Sequence, residues 1–121
     1  MMLMPRDEFL GRVARTQEVM TRSYIDALML TGDENVRYYS LASSWAPWAS
    51  FARPMIVIVP RSSQPILVIH QVFVDLTRKI SPVRQIVPYG ADDSPVEVVA
   101  DVIRGLNIGE GRVGCELGRE Q

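Results

Sequence analysis

The sequence is poor in the residues that form disulfides and metal centres. Its 121 residues include one cysteine, Cys115, and one histidine, His70. A single cysteine excludes an intrachain disulfide and is typical of a reducing compartment, so we expect a cytoplasmic protein. We expect Cys115 itself to be a buried, inert thiol in a strand. Because no further ligands lie at suitable spacing around His70, we expect a structural or exposed histidine and no metal site in this chain.

Long apolar runs and an excess of one charge are also missing. No run approaches the ~20 apolar residues that span a bilayer, and the first residues lack the apolar core of a signal peptide, so we expect no membrane partner. The formal net charge is −1, which argues against a nucleic-acid partner. With 47% hydrophobic residues, the 121 residues are enough for one domain with a core and too few for two.

Aromatic residues are few but concentrated. The chain has two tryptophans, four tyrosines and three phenylalanines. Five of these residues lie in the segment 35–53, namely Tyr38, Tyr39, Trp45, Trp48 and Phe51. The tryptophans flank Pro47, which does not suit a helix interior. The pattern predicts an aromatic loop between two strands. Two interpretations remain open, a binding loop held by a rigid sheet and rings that pack onto the core.

The rest of the pattern predicts an α/β domain. Apolar residues at helical spacing predict a helix of about four turns that starts near residues 5–7. Apolar runs at 27–30, 55–59 and 66–69 predict strands, the last two as an antiparallel hairpin, and a short helix is expected at 34–39. The segment 71–80 fits a helix or a strand, and we predict a helix.

Two more strands and a helix complete the expected order. Strands are predicted at 83–89 and 112–117. Between them, Ser94, Pro95 and Glu97 supply a capping serine, a proline at the first helical position and the glutamate of a capping box, so a helix should begin there. The order predicts a mixed, mostly five-stranded sheet covered by helices.

Three short motifs make the chain similar to a known family. Residues 25–30 resemble a "D-A-L-L" strand, residues 35–40 an "N-x-x-Y-x-[ST]-G" element, and residues 111–116 a "G-R-[IV]-G-x-E" strand. In this order the motifs resemble the N-terminal domain of the creatinase, prolidase and aminopeptidase P group, the "pita-bread" metallohydrolases, over essentially the whole chain. Leu41 departs from the pattern because the family usually has glycine there, which puts the local backbone in question.

The resemblance implies an accessory role. In this family two Asp, one His and two Glu residues of a C-terminal domain bind two divalent metal ions, and this chain stops at Gln121, before any such domain. We therefore expect the N-terminal domain of a creatinase-like or Xaa-Pro peptidase hydrolase, with no catalytic residue, cofactor or activity of its own. The implied partners are the C-terminal domain, a second copy in a homodimer and a small amino-acid-like or peptide substrate.

The resemblance also implies a use for the aromatic loop. In the family, the N-terminal domain of one subunit reaches the active site of the other, and a Phe-x-Arg sequence contacts the substrate. Phe51 and Arg53 match that sequence, which implies that Arg53 pairs with a substrate carboxylate and Phe51 excludes water. Trp45 and Trp48 are implied either to line the same pocket or to pack at the dimer interface.

Other classes of function remain as alternatives. A standalone non-catalytic α/β binding or scaffold domain would have the same composition. A nucleotide-binding domain is disfavoured, since residues 30–34 carry one glycine and two acids, whereas a phosphate cradle needs several glycines.

Overall fold

The computed structural model describes residues 4–42 and 53–116. Within these ranges the helices are α1 (Arg6–Arg22), α2 (Asp33–Ser40), α3 (Val74–Ile80) and α4 (Pro95–Gly105). A single 3-10 turn, Gln71–Phe73, leads into α3. The strands are β1 (Ala27–Leu30), β2 (Ile56–Pro60), β3 (Ile66–His70), β4 (Gln85–Tyr89) and β5 (Val113–Cys115). The expected order of elements is confirmed, including the helix at 71–80.

The strands form one mixed sheet in the order β4-β3-β2-β1-β5. The predicted hairpin is confirmed, because β2 and β3 are antiparallel with Ile58 opposite Ile66. β2 is also antiparallel to β1, while β1 pairs with β5 and β3 pairs with β4 in parallel. Four strands therefore run in one direction and β2 runs against them.

Each face of the sheet has its own core. On one face α1, α2 and α3 cover a cluster that includes Phe9, Val36 and Val57. On the other face α4 covers a cluster that includes Ile58 and Val99. Both faces of β2 are buried, which explains its continuous apolar sequence.

Local signals begin the helices. The Ser94 hydroxyl accepts a hydrogen bond from the Glu97 backbone N–H at 3.3 Å, and Pro95 is the first residue of α4, as its sequence predicts. In α1, Glu18 and Arg22 form the expected ion pair one turn apart, at 3.1 Å. None of the helices in the described ranges is long and apolar enough to cross a membrane.

Candidate functional site

The carboxyl ends of β1, β3, β4 and β5 lie at one edge of the sheet, because these strands are parallel. Since β2 runs the other way, the segment that enters it, Arg53 to Met55, lies at the same edge. Ligands of open α/β sheets bind at the carboxyl ends of the strands. This edge is therefore the candidate functional site, and we call it the carboxyl edge.

Arg53 is exposed where the chain approaches β2. The next residue is fastened to the sheet, because Tyr89 Oη donates a hydrogen bond to the Pro54 carbonyl oxygen at 2.6 Å. Burial raises the pKa of Tyr89 to about 12, and the positive charge of Arg53 opposes that rise. The ion pairs recorded among residues 4–42 and 53–116 do not include Arg53.

The other predicted site residues, Trp45, Trp48 and Phe51, lie outside the described residues. Their proximity to Arg53 stays a prediction. The two tyrosines that precede them, Tyr38 and Tyr39, are among the described residues. Each of them fits a different one of the two interpretations of the aromatic segment. Tyr39 is buried in the core, and the Thr16 and Tyr39 hydroxyls are hydrogen-bonded at 2.5 Å. Tyr38 is partly exposed, and the Arg12 guanidinium lies 4.2 Å from its ring centroid.

His70 ends β3 at the carboxyl edge and is only 8% exposed. Its Nδ1 accepts a hydrogen bond from the Val72 backbone N–H at 3.1 Å, which caps the turn that starts after it. The ring packs edge-on against Phe73 and Tyr89, with centroids 6.5 and 5.4 Å away. These contacts give His70 the structural role that the sequence suggested. Across residues 4–42 and 53–116, no three His, Cys, Asp or Glu side chains gather as a possible metal site.

Glu116, directly after β5, binds the start of α2. Its Oε1 accepts hydrogen bonds from the Thr31 backbone N–H at 2.6 Å and the Thr31 hydroxyl at 3.2 Å. Its Oε2 accepts from the Gly32 N–H at 3.0 Å and from Asn35 Nδ2 at 2.7 Å. Burial alone would raise the pKa of Glu116, but the hydrogen bonds from Asn35, Thr31 and Gly32 outweigh burial and lower it. The negative charge also lies where the α2 dipole favours it.

Asp26 holds the other end of β5. Its Oδ2 accepts a hydrogen bond from the Arg112 backbone N–H at 2.9 Å, and its Oδ1 lies 3.4 Å from Arg61 Nη1. A Cβ on Gly111 would lie 2.6 Å from Asp26 Oδ2, so this close approach requires glycine. The motifs at 25–30, 35–40 and 111–116 thus contact one another. Sequence reasoning found the motifs and missed their contacts.

Leu41 takes the backbone conformation that glycine favours. It follows α2 with φ 62° and ψ 1°, in the left-handed region, and its N–H bonds the Arg37 carbonyl at 2.9 Å. This is a usual way for a helix to end, although glycine is the common residue there. The doubt that the sequence raised about this backbone is therefore resolved, since leucine holds the left-handed geometry.

The expectation that Cys115 is buried is wrong, because its side chain is exposed. β5 is an edge strand, and Cys115 lies opposite Met29 on the α4 face. The fully buried cluster under α4 is built on β2, β3 and β4, so α4 does not cover this end of the sheet.

The mixed sheet, its two helical layers and the contacts among the three motifs define one class of α/β domain. The chain belongs to the family described as the Creatinase/Prolidase N-terminal domain, whose profile matches residues 12–119. This confirms the resemblance on which the sequence reasoning relied.

Solved structures with the same fold include dipeptidases and their N-terminal domains. The N-terminal domain of an Xaa-Pro dipeptidase from Lactobacillus brevis matches with a TM-score of 0.76 and 14% identity, over 91% of this chain and 79% of that one. A proline dipeptidase from Streptococcus pneumoniae gives 0.74 and 15%, over 91% and 76%. An Xaa-Pro dipeptidase from Bacillus anthracis gives 0.74 and 17%, over 93% of this chain and 28% of that one.

These identities establish likeness of fold alone. This chain spans about a quarter of the length of some relatives, such as the Bacillus anthracis dipeptidase, of which it covers 28%. A search of curated protein sequences gave no significant match.

Proposed function

We propose that this chain is the accessory N-terminal domain of a dinuclear-metal hydrolase of the creatinase or Xaa-Pro peptidase type. In this proposal it supports a homodimer and contributes to the substrate pocket of the neighbouring subunit. The observation that carries the proposal is the position of Arg53, exposed and without a described ion-pair partner at the carboxyl edge of a prolidase-type domain.

Arg53 has the chemistry to bind a substrate carboxylate. A guanidinium offers two parallel hydrogen bonds to a carboxylate, which fixes its orientation as well as its charge. The Tyr89 bond to Pro54, at 2.6 Å, restrains the backbone beside Arg53. A restrained binding residue loses less conformational entropy when the ligand arrives, which favours binding.

The hydrolytic step itself is assigned to the C-terminal domain. Two divalent metal ions there would activate a water molecule and polarise the bond to be cleaved. In this proposal the part of this chain is to bind and orient the substrate.

The proposal is tested on the longer protein that carries this domain. We expect Arg53→Ala to leave the fold and the dimer intact, because the residue is exposed. We expect kcat/KM to fall by roughly 1.5–3 kcal/mol for a dipeptide with a free carboxylate, the range for hydrogen bonds to charged groups. The loss should nearly vanish for the corresponding amide. Arg53→Lys should recover only part of the activity, since an ammonium lacks the planar fork.

Arg84→Ala is the matched control, because Arg84 is also exposed but directly precedes β4, at the opposite edge of the sheet. We expect Arg84→Ala to change kcat/KM for neither the carboxylate substrate nor the amide. A mixed dimer tests the cross-subunit part, with Arg53→Ala on one chain and the metal ligands removed from the other. If Arg53→Ala lowers kcat/KM equally for the carboxylate substrate and for the amide, the proposed carboxylate contact is wrong. If it acts only on the active site of its own subunit, the proposed cross-subunit contribution is wrong. A full-length product without any hydrolase domain would favour the scaffold alternative.

A further inference from the structure

A cleft with a volume of about 360 Å³ lies on the face of the sheet that α1 and α2 cover. Helix α1 contributes Val19 and Met20 to its lining, β1 contributes Leu28, the connection between them contributes Ile25, and α2 contributes Tyr38. Pockets for small ligands measure roughly 300–1,000 Å³. This cleft is therefore large enough for a whole small molecule.

Most of the lining is apolar. Val19 is 51% exposed and Tyr38 is 43% exposed, so two large side chains of the lining remain open to a ligand. The Thr16 hydroxyl also lines the cleft, but it already donates a hydrogen bond to the Arg12 carbonyl oxygen at 2.9 Å. This part of the cleft therefore offers a ligand mainly apolar contact.

The lining also carries positive charge, from Arg12 and Arg15. The two residues are three positions apart on α1, so their side chains leave the same face of the helix. Arg12 is held in place, because its Nε donates to Glu8 Oε2 at 3.0 Å and its Nη1 donates to the Tyr38 carbonyl oxygen at 2.5 Å. Its guanidinium also lies 4.2 Å from the centroid of the Tyr38 ring.

Arg15 is exposed, and the ion pairs recorded among residues 4–42 and 53–116 do not include it. Its guanidinium lies beside Gly11, where an added Cβ would be 3.2 Å from Arg15 Nη1. Glycine destabilises a helix interior, and here it leaves the space that the guanidinium uses. Arg12 and Arg15 thus reach towards the N-terminal end of α1, whereas Val19 lies towards its C-terminal end.

The cleft is therefore charged at one end and apolar at the other. From the arginine pair to Val19 and Met20 is about six residues, or roughly 9 Å of helix, which an acyl chain of about eight carbons can span. A guanidinium binds a carboxylate through paired hydrogen bonds. A carboxylate with an apolar chain matches both the charge and the length of the cleft.

Two other occupants fit less well. A second copy of this chain that presented the same cleft would bring four arginines together, and like charges oppose such a contact. A partner helix is about 10–12 Å across with its side chains, which is too wide for a cleft of this volume.

We propose that this cleft binds a medium-chain carboxylate. The carboxylate pairs with Arg15 beside Arg12, and the chain lies along Val19, Ile25 and Leu28. Arg53 does not line the cleft, so this site is separate from the function proposed above and does not rest on it.

Calorimetry on this chain tests the proposal with three probes. Octanoate has both the charge and the chain, acetate has only the charge, and octan-1-ol has only the chain. We expect octanoate to bind more tightly than either of the other two. Arg15→Gln should weaken octanoate about three- to fivefold, the scale of an exposed ion pair, and should change octan-1-ol less than twofold. Val19→Ser should weaken octanoate and octan-1-ol alike, by about threefold or more, because it removes apolar contact.

Arg78→Gln and Val72→Ser are the matched controls. Arg78 is an exposed arginine of α3, and Val72 is an exposed valine that directly follows the end of β3. Both lie outside the lining of the cleft, so neither substitution should change the binding of octanoate. All four substitutions replace exposed residues, and circular dichroism checks that each variant keeps its fold.

Three results would overturn the proposal. Octanoate that does not bind, or that binds equally to both cleft variants and both controls, would show that the cleft is not its site. An equal effect of Arg15→Gln on octanoate and octan-1-ol would exclude the carboxylate contact. Self-association in sedimentation that Val19→Ser abolishes, without octanoate binding, would make the cleft an interface between two copies instead.

Discussion

The four hydrogen bonds that converge on Glu116 carry a testable amount of stability. We expect Glu116→Gln to lower the free energy of unfolding by about 2–3 kcal/mol at pH 7. A hydrogen bond to a charged group contributes about 1.5–3 kcal/mol, and Glu116 has four. Because the side chain is only half-buried, water screens the charge and can replace part of each bond, so the expected total is close to the value for one buried bond.

Glutamine is informative because it keeps the size of glutamate but can accept only half of its hydrogen bonds. Each carboxylate oxygen accepts two hydrogen bonds. Oε1 accepts both of its bonds from Thr31, and Oε2 accepts one from Gly32 and one from Asn35. In either orientation the amide NH₂ of glutamine would face two donors. We therefore expect Glu116→Gln to be nearly as destabilising as Glu116→Ala.

The effect should depend on pH in a defined direction. The folded state lowers the pKa of Glu116 below that of the unfolded chain. The stabilisation is therefore fully present above the unfolded pKa, about 4.3, and is lost as pH falls through the lower folded value. The difference in unfolding free energy between the wild type and Glu116→Gln should shrink as the solution is acidified below pH 4.

Urea unfolding followed by circular dichroism measures these differences. Glu110→Gln is the control, since Glu110 is exposed and lies in the same region of sequence, and it should change stability by less than about 0.5 kcal/mol. An equally small effect of Glu116→Gln at pH 7, or a difference that grows in acid, would refute this account of how β5 is held beside α2.

Local patterns were enough to predict most of the elements. The helix α1 shows its apolar period in the sequence because one face is buried, and α4 begins where Ser94 and Pro95 indicate. β2 and β3 are apolar throughout because both faces of the sheet are covered. These signals depend only on neighbouring residues, so sequence reasoning can find them.

What the sequence did not reveal depends on contacts between distant segments. Glu116 and Thr31 are 85 residues apart and meet only because β5 pairs with β1. Nothing local to the 112–117 segment indicates that pairing or the edge position that exposes Cys115. The left-handed backbone at Leu41 was hidden because its usual signal, glycine, is absent. An apolar cleft at the start of α4 likewise needs residues from three separate elements, β1, β2 and α4.

Two further predictions concern the core and the end of α2. Val57→Ala and Val99→Ala should each lower the free energy of unfolding by about 1–3 kcal/mol through lost burial and a residual cavity, and unchanged urea midpoints would contradict their buried positions. At Leu41 both Ala and Gly remove the half-buried side chain, but only Gly relieves the left-handed backbone. Leu41→Gly should therefore be more stable than Leu41→Ala by about 1 kcal/mol, the reverse of their usual order in a helix, where Gly is less stable than Ala by roughly 0.5–1 kcal/mol. Urea unfolding of the two variants compares them directly, and an alanine variant as stable as the glycine variant would mean that Leu41 carries no backbone strain.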